Sequence, residues 1–114
     1  MDWVRWALRR HQRLRISGDS MEPTLNEGDL VFVDMRAYRT STPAANEIVV
    51  ARHPYQRDLR IAKRVSHTTN AGRVYLISDN PNMGTDSRVF GAVASERVLG
   101  RVVSRIVVSR IVVR

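Results

Sequence analysis

A single lysine stands out among the basic residues of this sequence. The chain contains 19 lysine and arginine residues, and all of them except Lys63 are arginines. Arginine stays charged at any physiological pH, whereas a lysine is readily driven to its neutral, basic form by burial. A chain that otherwise uses arginine therefore keeps a lysine where deprotonation is useful, although codon bias with one surviving lysine gives the same count. The composition makes Lys63 a candidate general base.

The residues around Lys63 alternate as in a β-strand over positions 59–65. This alternation places four residues on one face: Leu59, Ile61, Lys63 and Val65. The other face carries Arg60, Ala62 and Arg64, which we expect to point toward solvent. An apolar face disfavours the charged amine, and lowering a lysine pKa by two or three units costs roughly 3 to 4 kcal/mol. The alternative is a lysine at a strand edge whose amine reaches water.

Ser20 is the candidate nucleophile. It lies in the stretch Ser-Gly-Asp-Ser-Met-Glu-Pro-Thr-Leu at 17–25, a glycine-containing loop that follows a predicted strand. Such a loop presents a serine hydroxyl to solvent on a constrained backbone, as a nucleophile requires. Taken alone, a serine beside glycine and aspartate is more commonly a turn former.

Short β-type runs must position these two residues. Runs of strand character occupy 14–16, 30–34, 47–52, 59–65, 73–77 and 98–108. Turn signals separate them at 27–29, 41–43, 70–72 and 79–81. We therefore predict a mostly β fold, a small partly closed antiparallel β-barrel, with a short N-terminal helical or irregular segment.

The chain of 114 residues has room for one domain. We assign 1–13 to a basic amphipathic segment, 14–106 to the catalytic domain and 107–114 to a repeated strand-like tail. The repeat is Ser-Arg-Ile-Val-Val, which occurs at 104–108 and again at 109–113. No chemistry is assigned to it.

Composition and charge narrow the setting of the protein. There is no cysteine, so disulfides and thiolate metal sites are excluded. The apolar run near the start is short and is interrupted by Arg5. We therefore predict neither a membrane span nor a secretory signal there. We expect a cytoplasmic protein with at most peripheral membrane contact through Trp3 and Trp6. The net charge of +8 is compatible with nucleic acid, an anionic surface or an acidic partner, and most simply with a well-solvated surface.

Three boxes of sequence together resemble the Ser/Lys-dyad signal peptidase family. The first is Gly-Asp-Ser-Met-Glu-Pro-Thr-Leu at 18–25, and the second is Ile-Ala-Lys-Arg-Val at 61–65. The third runs from 78 to 91, beginning Ser-Asp-Asn and including Asp-Ser-Arg. Their order and spacing agree with the family over about residues 14 to 106.

The resemblance implies an all-β catalytic fold that hydrolyses peptide bonds through an acyl-enzyme. Ser20 would attack, and neutral Lys63 would take its proton and later activate water, with no metal or other cofactor. The Ser20 backbone N–H would help bind the oxyanion. Further oxyanion and loop-bracing positions carried over from the motifs are Gly18, Asp19, Asp79, Asp86, Ser87 and Arg88.

Two positions depart from the family pattern. Gly18 stands where some members carry an oxyanion-donating serine, so main-chain donors would have to suffice. Gly84 stands where many members place a serine that hydrogen-bonds the lysine, and Ser78 replaces the usual first glycine of that box. Thr85 is a candidate replacement for the lost hydroxyl.

Within the family, residues 50–56 and the lack of a predicted anchor resemble the nickel-type superoxide dismutase maturation proteases. This narrower resemblance implies a pro-protein partner, the nickel superoxide dismutase precursor, whose N-terminal leader is removed. A processing protease with another substrate is the alternative.

Other classes of function fit the sequence less well. Histidines at 11, 53 and 67 permit a Ser-His-Asp triad, but none lies in a recognisable motif. We expect His53 to be a surface or groove residue and His67 a polar strand end. A self-cleaving repressor would need a DNA-binding domain that the N-terminal segment is too short to hold. A basic β-barrel that binds single strands would need an aromatic platform, and aromatics are only 6%, so no nucleic acid partner is expected. An inactive scaffold is the remaining alternative.

Overall fold

The computed structural model describes residues 10–107. Seven strands are present: β1 (His11–Arg15), β2 (Leu30–Asp34), β3 (Ile48–Arg52), β4 (Arg60–Thr68), β5 (Arg73–Ile77), β6 (Val93–Ala94) and β7 (Val98–Ile106). One short helix, α1 (Ser87–Phe90), and a 3-10 turn (Ser95–Arg97) complete the described elements. All strand pairs are antiparallel, in the order β1-β2-β7-β3-β4-β5-β6.

The predicted fold class is confirmed, because the sheet curls into a half-barrel with little helix. The predictions for β2 and β5 coincide with the observed strands. The prediction for β1 was wrong in its bounds, since the strand runs from His11 to Arg15 and His11 pairs with Asp34 of β2. Three residues assigned to the N-terminal segment as helical or irregular, His11, Gln12 and Arg13, are therefore strand residues.

Two hydrophobic clusters form because the strands alternate. One cluster contains Val49, Ala51, Val65, Val74, Leu76, Val93 and Val98. The other contains Met21, Leu25, Val31, Val33 and Val50, with Met21 and Leu25 coming from the loop after Ser20. Neighbours such as Val49 and Val50 thus pack on opposite faces of β3, so apolar material covers both faces. The Ser20 loop is anchored to the sheet by its own apolar side chains.

The predicted faces of β4 are partly correct. Lys63 and Val65 are buried with 4% and 1% of their surface exposed, as expected for the apolar face. Leu59 precedes the strand and is 39% exposed, so it does not belong to that buried face. Arg64 does not point freely into solvent, because it is half-buried in an ion pair with Asp79. The opposite face of β4 is therefore only partly exposed: Arg60 lies in solvent as expected, whereas Ala62 packs against the second cluster.

Some of the predictions concern residues that are not described. Most of the N-terminal segment (1–9) and the second copy of the repeat (109–113) lie outside the described residues, and the domain boundaries stay predictions. Between residues 10 and 107, no helix has the length and apolarity needed to cross a bilayer.

Candidate active site

Ser20 lies in the loop that connects β1 to β2. Within residues 10–107, its backbone N–H donates no hydrogen bond to a described acceptor, and its carbonyl accepts from the Asn80 N–H at 2.9 Å. Gly18 has a φ of +83°, a conformation that glycine adopts without strain, and its α-carbon faces open space. The loop thus leaves the Ser20 amide available as a donor.

Lys63 reaches Ser20 from β4. Its Nζ lies 2.8 Å from the Ser20 Oγ, which is hydrogen-bonding distance for a nucleophile and its base. The two residues are 43 positions apart in sequence and belong to separate parts of the sheet. The fold therefore brings together the two residues that the sequence singled out.

Ser78 supplies a second hydroxyl to the lysine. Lys63 Nζ donates to the Ser78 Oγ at 3.1 Å, and this contact is buried. The sequence offered Thr85 for this role, but Thr85 is exposed and makes no such contact with Lys63 in the described structure. The serine that replaces the usual glycine of its box therefore provides the hydroxyl that is missing at Gly84.

Close packing against Ser20 restricts position 84 to glycine. Its φ is +72°, and a methyl group added there would lie 2.8 Å from the Ser20 Cβ and 3.5 Å from Lys63 Nζ. Real side chains do not approach so closely, so any larger residue would push Ser20 or its own loop aside. Gly84 thus leaves room for the contact between Ser20 and Lys63, and Ser78 supplies the hydroxyl that Gly84 lacks.

The pKa of Lys63 is lowered by burial of its amine. The negative charge of Asp86 opposes this shift. Among residues 10–107, no carboxylate forms an ion pair with Lys63, and its amine hydrogen-bonds to the two serine hydroxyls. This environment favours the neutral amine that a base requires.

Asp86 fixes the loop that carries Ser78. Its carboxylate accepts from the Ser78 N–H at 2.8 Å and from the Arg88 N–H at 3.0 Å, and it forms an ion pair with the Arg88 guanidinium. Burial would raise the pKa of Asp86, but hydrogen bonds from Arg88 and Ser78 outweigh it and lower the pKa to about 2. The neighbouring Ser87 accepts from the Leu76 N–H at 2.8 Å. These contacts hold Ser78 beside Lys63.

Asp79 joins the strand of the lysine to the loop of the serine. It accepts two hydrogen bonds from Arg64, at 2.8 and 2.6 Å, and one from the Thr24 hydroxyl at 2.6 Å. The hydrogen bonds from Arg64 lower the pKa of Asp79, and that from Thr24 adds to the effect. The Asn80 amide also donates to the Asp19 carbonyl at 3.2 Å. Asp19 thus contributes through its main chain.

Several of these partners were missed at the level of sequence. Thr24, Arg64 and Asn80 all contact residues of the site, and all three lie in the family boxes, but none of them was assigned a role there. The role of Arg64 was detectable in principle. If the segment that carries Asp79 packs against β4, a half-buried Asp79 requires a cation, and Arg64 is next to Lys63 on that strand.

The histidines do not complete a triad. His53 is buried, lines the cleft beside Ser20, and accepts at Nδ1 from the N–H groups of Tyr55 and Gln56. His67 is an exposed β4 residue whose ring stacks on Tyr75 at 4.5 Å. The described residues contain no group of three or more His, Asp or Glu side chains arranged to hold a metal. The partner of Ser20 is Lys63.

A groove of about 380 Å³ opens beside Ser20 and Lys63. One wall comes from residues 14–17, and the other comes from residues 59–63, with Met21, Val31 and Val50 at the base. Within the described sheet, β1 is an edge strand. The half of β4 from Arg60 to Lys63 has a partner on only one side, because β5 pairs only from Arg64 onward. The groove is therefore mostly apolar and bordered by unpaired strand edges.

Comparison with known proteins identifies the family. The Peptidase S24-like family matches residues 7–103 of this chain. Mitochondrial inner membrane protease subunit 1 of Homo sapiens is 30% identical over 109 residues, covering 79% of this chain and 66% of that protein. The same subunit of Xenopus tropicalis is 30% identical, with 79% and 65% covered, and that of Mus musculus is 28% identical, with 79% and 66% covered. The chain spans about two thirds of the length of these relatives. It belongs to the Peptidase S24-like family, a family of peptidases.

Proposed function

We propose that this protein is a serine endopeptidase in which Ser20 is the nucleophile and Lys63 the general base. The observation that carries the proposal is the distance of 2.8 Å between the Ser20 Oγ and the Nζ of a buried lysine. A lysine amine held neutral in this position accepts the proton that the serine must lose. Membership of a peptidase family supports the same reaction.

The steps balance with these two residues and water. Neutral Lys63 takes the Ser20 proton as Oγ bonds to the scissile carbonyl carbon, and the oxyanion is stabilised by the Ser20 N–H. The resulting ammonium returns the proton to the leaving amine as the C–N bond breaks, which leaves an acyl-enzyme. Lys63 then removes a proton from water as its oxygen attacks the ester carbonyl. The ammonium returns this proton to the Ser20 Oγ as the ester C–O bond breaks, which releases the acid and restores the Ser20 hydroxyl and the neutral lysine.

The groove suits an extended peptide. Strand edges on both walls can hydrogen-bond the main chain of such a peptide by β-addition, while the apolar base receives small or apolar side chains. Ser20 and Lys63 line the same groove, so a bound peptide passes the nucleophile. This arrangement supports an endopeptidase that cleaves within unfolded segments.

We propose further that the substrate is the leader of a pro-protein, the nickel superoxide dismutase precursor, cut in the cytoplasm. The support is the resemblance of residues 50–56 to the maturation proteases; the relatives are named as inner membrane proteases. A general processing protease with another substrate is the alternative.

Co-expression with the precursor tests both the proposed substrate and the proposed role of Ser20. Mass spectrometry of the dismutase N-terminus should show the leader removed with the wild-type chain and retained with Ser20→Ala, which is expected to fold normally. An intact leader beside the wild-type protease would refute the substrate assignment. Equal cleavage by wild type and Ser20→Ala would remove Ser20 from the mechanism.

A further inference from the structure

Four arginines line a second cleft, which has a volume of about 540 Å³. They are Arg52 at the end of β3, Arg57 in the following loop, Arg60 at the start of β4 and Arg97 in the 3-10 turn. Among the lining residues that the structure describes, the one carboxylate is that of Asp58. We call this feature the arginine cleft.

The positive charge of the arginine cleft is left unneutralised in the described structure. Arg52 and Arg60 are direct partners across the β3–β4 hairpin, an arrangement in which like charges are destabilising. Among residues 10–107, the ion pairs engage Arg10, Arg64, Arg88, Arg101 and Arg105, and none engages an arginine of the cleft. Within the described residues no ion pair compensates this concentration of charge, so the cleft is suited to an anionic ligand.

The loop that shapes the arginine cleft is held by hydrogen bonds. The His53 N–H donates to the Leu59 carbonyl at 2.8 Å, and the His53 ring accepts from Tyr55 and Gln56 at 3.1 and 3.0 Å. Arg97 also donates to the His53 carbonyl at 3.4 Å. The charged side chains thus project from a fixed frame, which reduces the entropy lost when they bind an anion.

The arginine cleft adjoins the catalytic residues. His53, Gln56 and Leu59 line it and also line the opening that contains Ser20 and Lys63. A peptide passing Ser20 can therefore place a nearby side chain among the arginines. Of the described residues that line this cleft, none is Trp, Tyr or Phe, so they do not form the stacking surface of a single-strand-binding groove.

We infer that the arginine cleft binds acidic side chains of the substrate and so determines which segment is cleaved. Guanidinium groups grip carboxylates with paired, charge-assisted hydrogen bonds, which is the recognition this lining offers. The inference rests on the proposed endopeptidase function. It assigns the preference for Asp or Glu near the cut to Arg52, Arg57, Arg60 and Arg97.

Peptide binding to the non-cleaving Ser20→Ala chain tests the inference without relying on catalysis. The probes are alanine-rich extended peptides in which a Glu-Glu pair is moved stepwise along the sequence, each matched with a Gln-Gln peptide. Fluorescence anisotropy should show about tenfold tighter binding for at least one Glu-Glu position, weakening as salt rises from about 0.05 to about 0.5 M. Equal affinity for the acidic and amide peptides at every position would overturn the inference.

Variants locate the effect. In the Ser20→Ala background, Arg52→Gln with Arg60→Gln should abolish the Glu preference while leaving the thermal midpoint unchanged or higher, because a cross-strand repulsion is removed. Arg13→Gln with Arg73→Gln, two exposed strand arginines outside the cleft, should keep it. Loss of the Glu preference in both double variants would show a general charge effect and would refute the assignment of this preference to the arginine cleft.

Two further outcomes separate the inference from the proposed function. If wild type cleaves no peptide or precursor but Ser20→Ala still prefers Glu-Glu through Arg52 and Arg60, the cleft stands and the endopeptidase proposal fails. If cleavage proceeds with equal kcat/KM for Glu-Glu and Gln-Gln peptides, the cleft assignment fails alone. Single-stranded DNA or phosphatidylglycerol vesicles bound through Arg52 and Arg60, without acidic-peptide preference, would also overturn it.

Discussion

Lys63 is buried in surroundings that disfavour its charged form. Its amine contacts the hydroxyls of Ser20 and Ser78, and burial lowers its pKa. Because its charged form is disfavoured in the folded chain, this side chain costs stability at any pH at which the amine of the unfolded chain is charged. That cost declines as pH rises from the lowered pKa toward the ordinary value of 10.5.

Replacement of Lys63 by Met should separate catalysis from stability. Met is apolar and of similar length, so Lys63→Met is expected to be inactive and at least as stable as wild type in thermal unfolding at neutral pH. The stability difference should shrink at high pH, as the sign of the pKa shift requires.

Lys63→Arg should also be inactive, because arginine does not act as a base. Wild-type rates should rise with pH through an apparent pKa below 10.5. Cleavage at the wild-type rate by either variant would exclude Lys63 as the base.

Ser78 is expected to orient the base without touching the substrate. Ser78→Ala removes the acceptor 3.1 Å from Lys63 Nζ, and we expect about a tenfold lower kcat with little change in KM. The hydroxyl accepts from the charged amine and so favours it, which means its loss should also lower the apparent pKa of the pH–rate profile. Ser66→Ala is the control, because Ser66 is an exposed serine on β4, the strand that carries Lys63. An unchanged pH profile would show that Ser78 has no positioning role.

The pairing of Ser20 with Lys63 was predictable from sequence, but the contact of Ser78 with Lys63 was not. A lone lysine on an alternating strand can be recognised locally. Which hydroxyl reaches its amine depends on the register of β4 against β5, which shifts between Val65 and His67. A bulge of this kind has no local sequence signature here, and the nearer candidate in the motif, Thr85, lies exposed instead.

At the scale of elements, α1 exists because Asp86 caps it. The helix has only four residues, too few for a periodic pattern, so it was not predicted. The two-residue β6 was missed for the same reason. By contrast, buried and more exposed residues alternate over the first four positions of β2 and over all five of β5, and the bounds of both strands were predicted correctly.

Asp86→Asn should weaken the connection between α1 and the site. The carboxylate has a lowered pKa of about 2 against an ordinary 3.8, so it contributes about 2 kcal/mol of stability at neutral pH. This contribution is present above the ordinary value and is lost as pH falls through about 2. Urea unfolding should show the variant less stable at neutral pH and equal to wild type near that acid limit. Glu27→Gln, an exposed carboxylate, should unfold like wild type, and a pH-independent loss in Asp86→Asn would contradict the electrostatic account.

At the scale of the whole molecule, the described sheet consists of two parts joined by β7. This strand pairs with β2 on one side and β3 on the other. The loop of Ser20 follows β1 and leads into β2, whereas Lys63 lies on β4 beyond β3. Strand content was predictable, but this order was not, because it is determined by long-range pairing of the last strand with two earlier ones. The distance between nucleophile and base therefore depends on the packing of β7.

Gly100 tests that dependence. It pairs with Val50 of β3, and a methyl group added there would lie 2.5 Å from the Asp34 carbonyl oxygen and 2.8 Å from the Val33 side chain of β2. Because the nearest atom belongs to the backbone, β2 must move away from β7, and overpacking of this kind costs typically about 1 to 3 kcal/mol.

Gly100→Ala is expected to lower the thermal midpoint and, at temperatures where it remains folded, to reduce cleavage by separating the Ser20 part of the sheet from the Lys63 part. Gly72→Ala is the matched control: its φ of +77° imposes backbone strain of about 1 kcal/mol, but its methyl would only touch the Ser95 hydroxyl at 3.5 Å, away from the join. That control should lose stability and keep its activity when folded. Wild-type activity in folded Gly100→Ala would show that the links between the Ser20 loop and residues 78–80 hold the two residues together without β7.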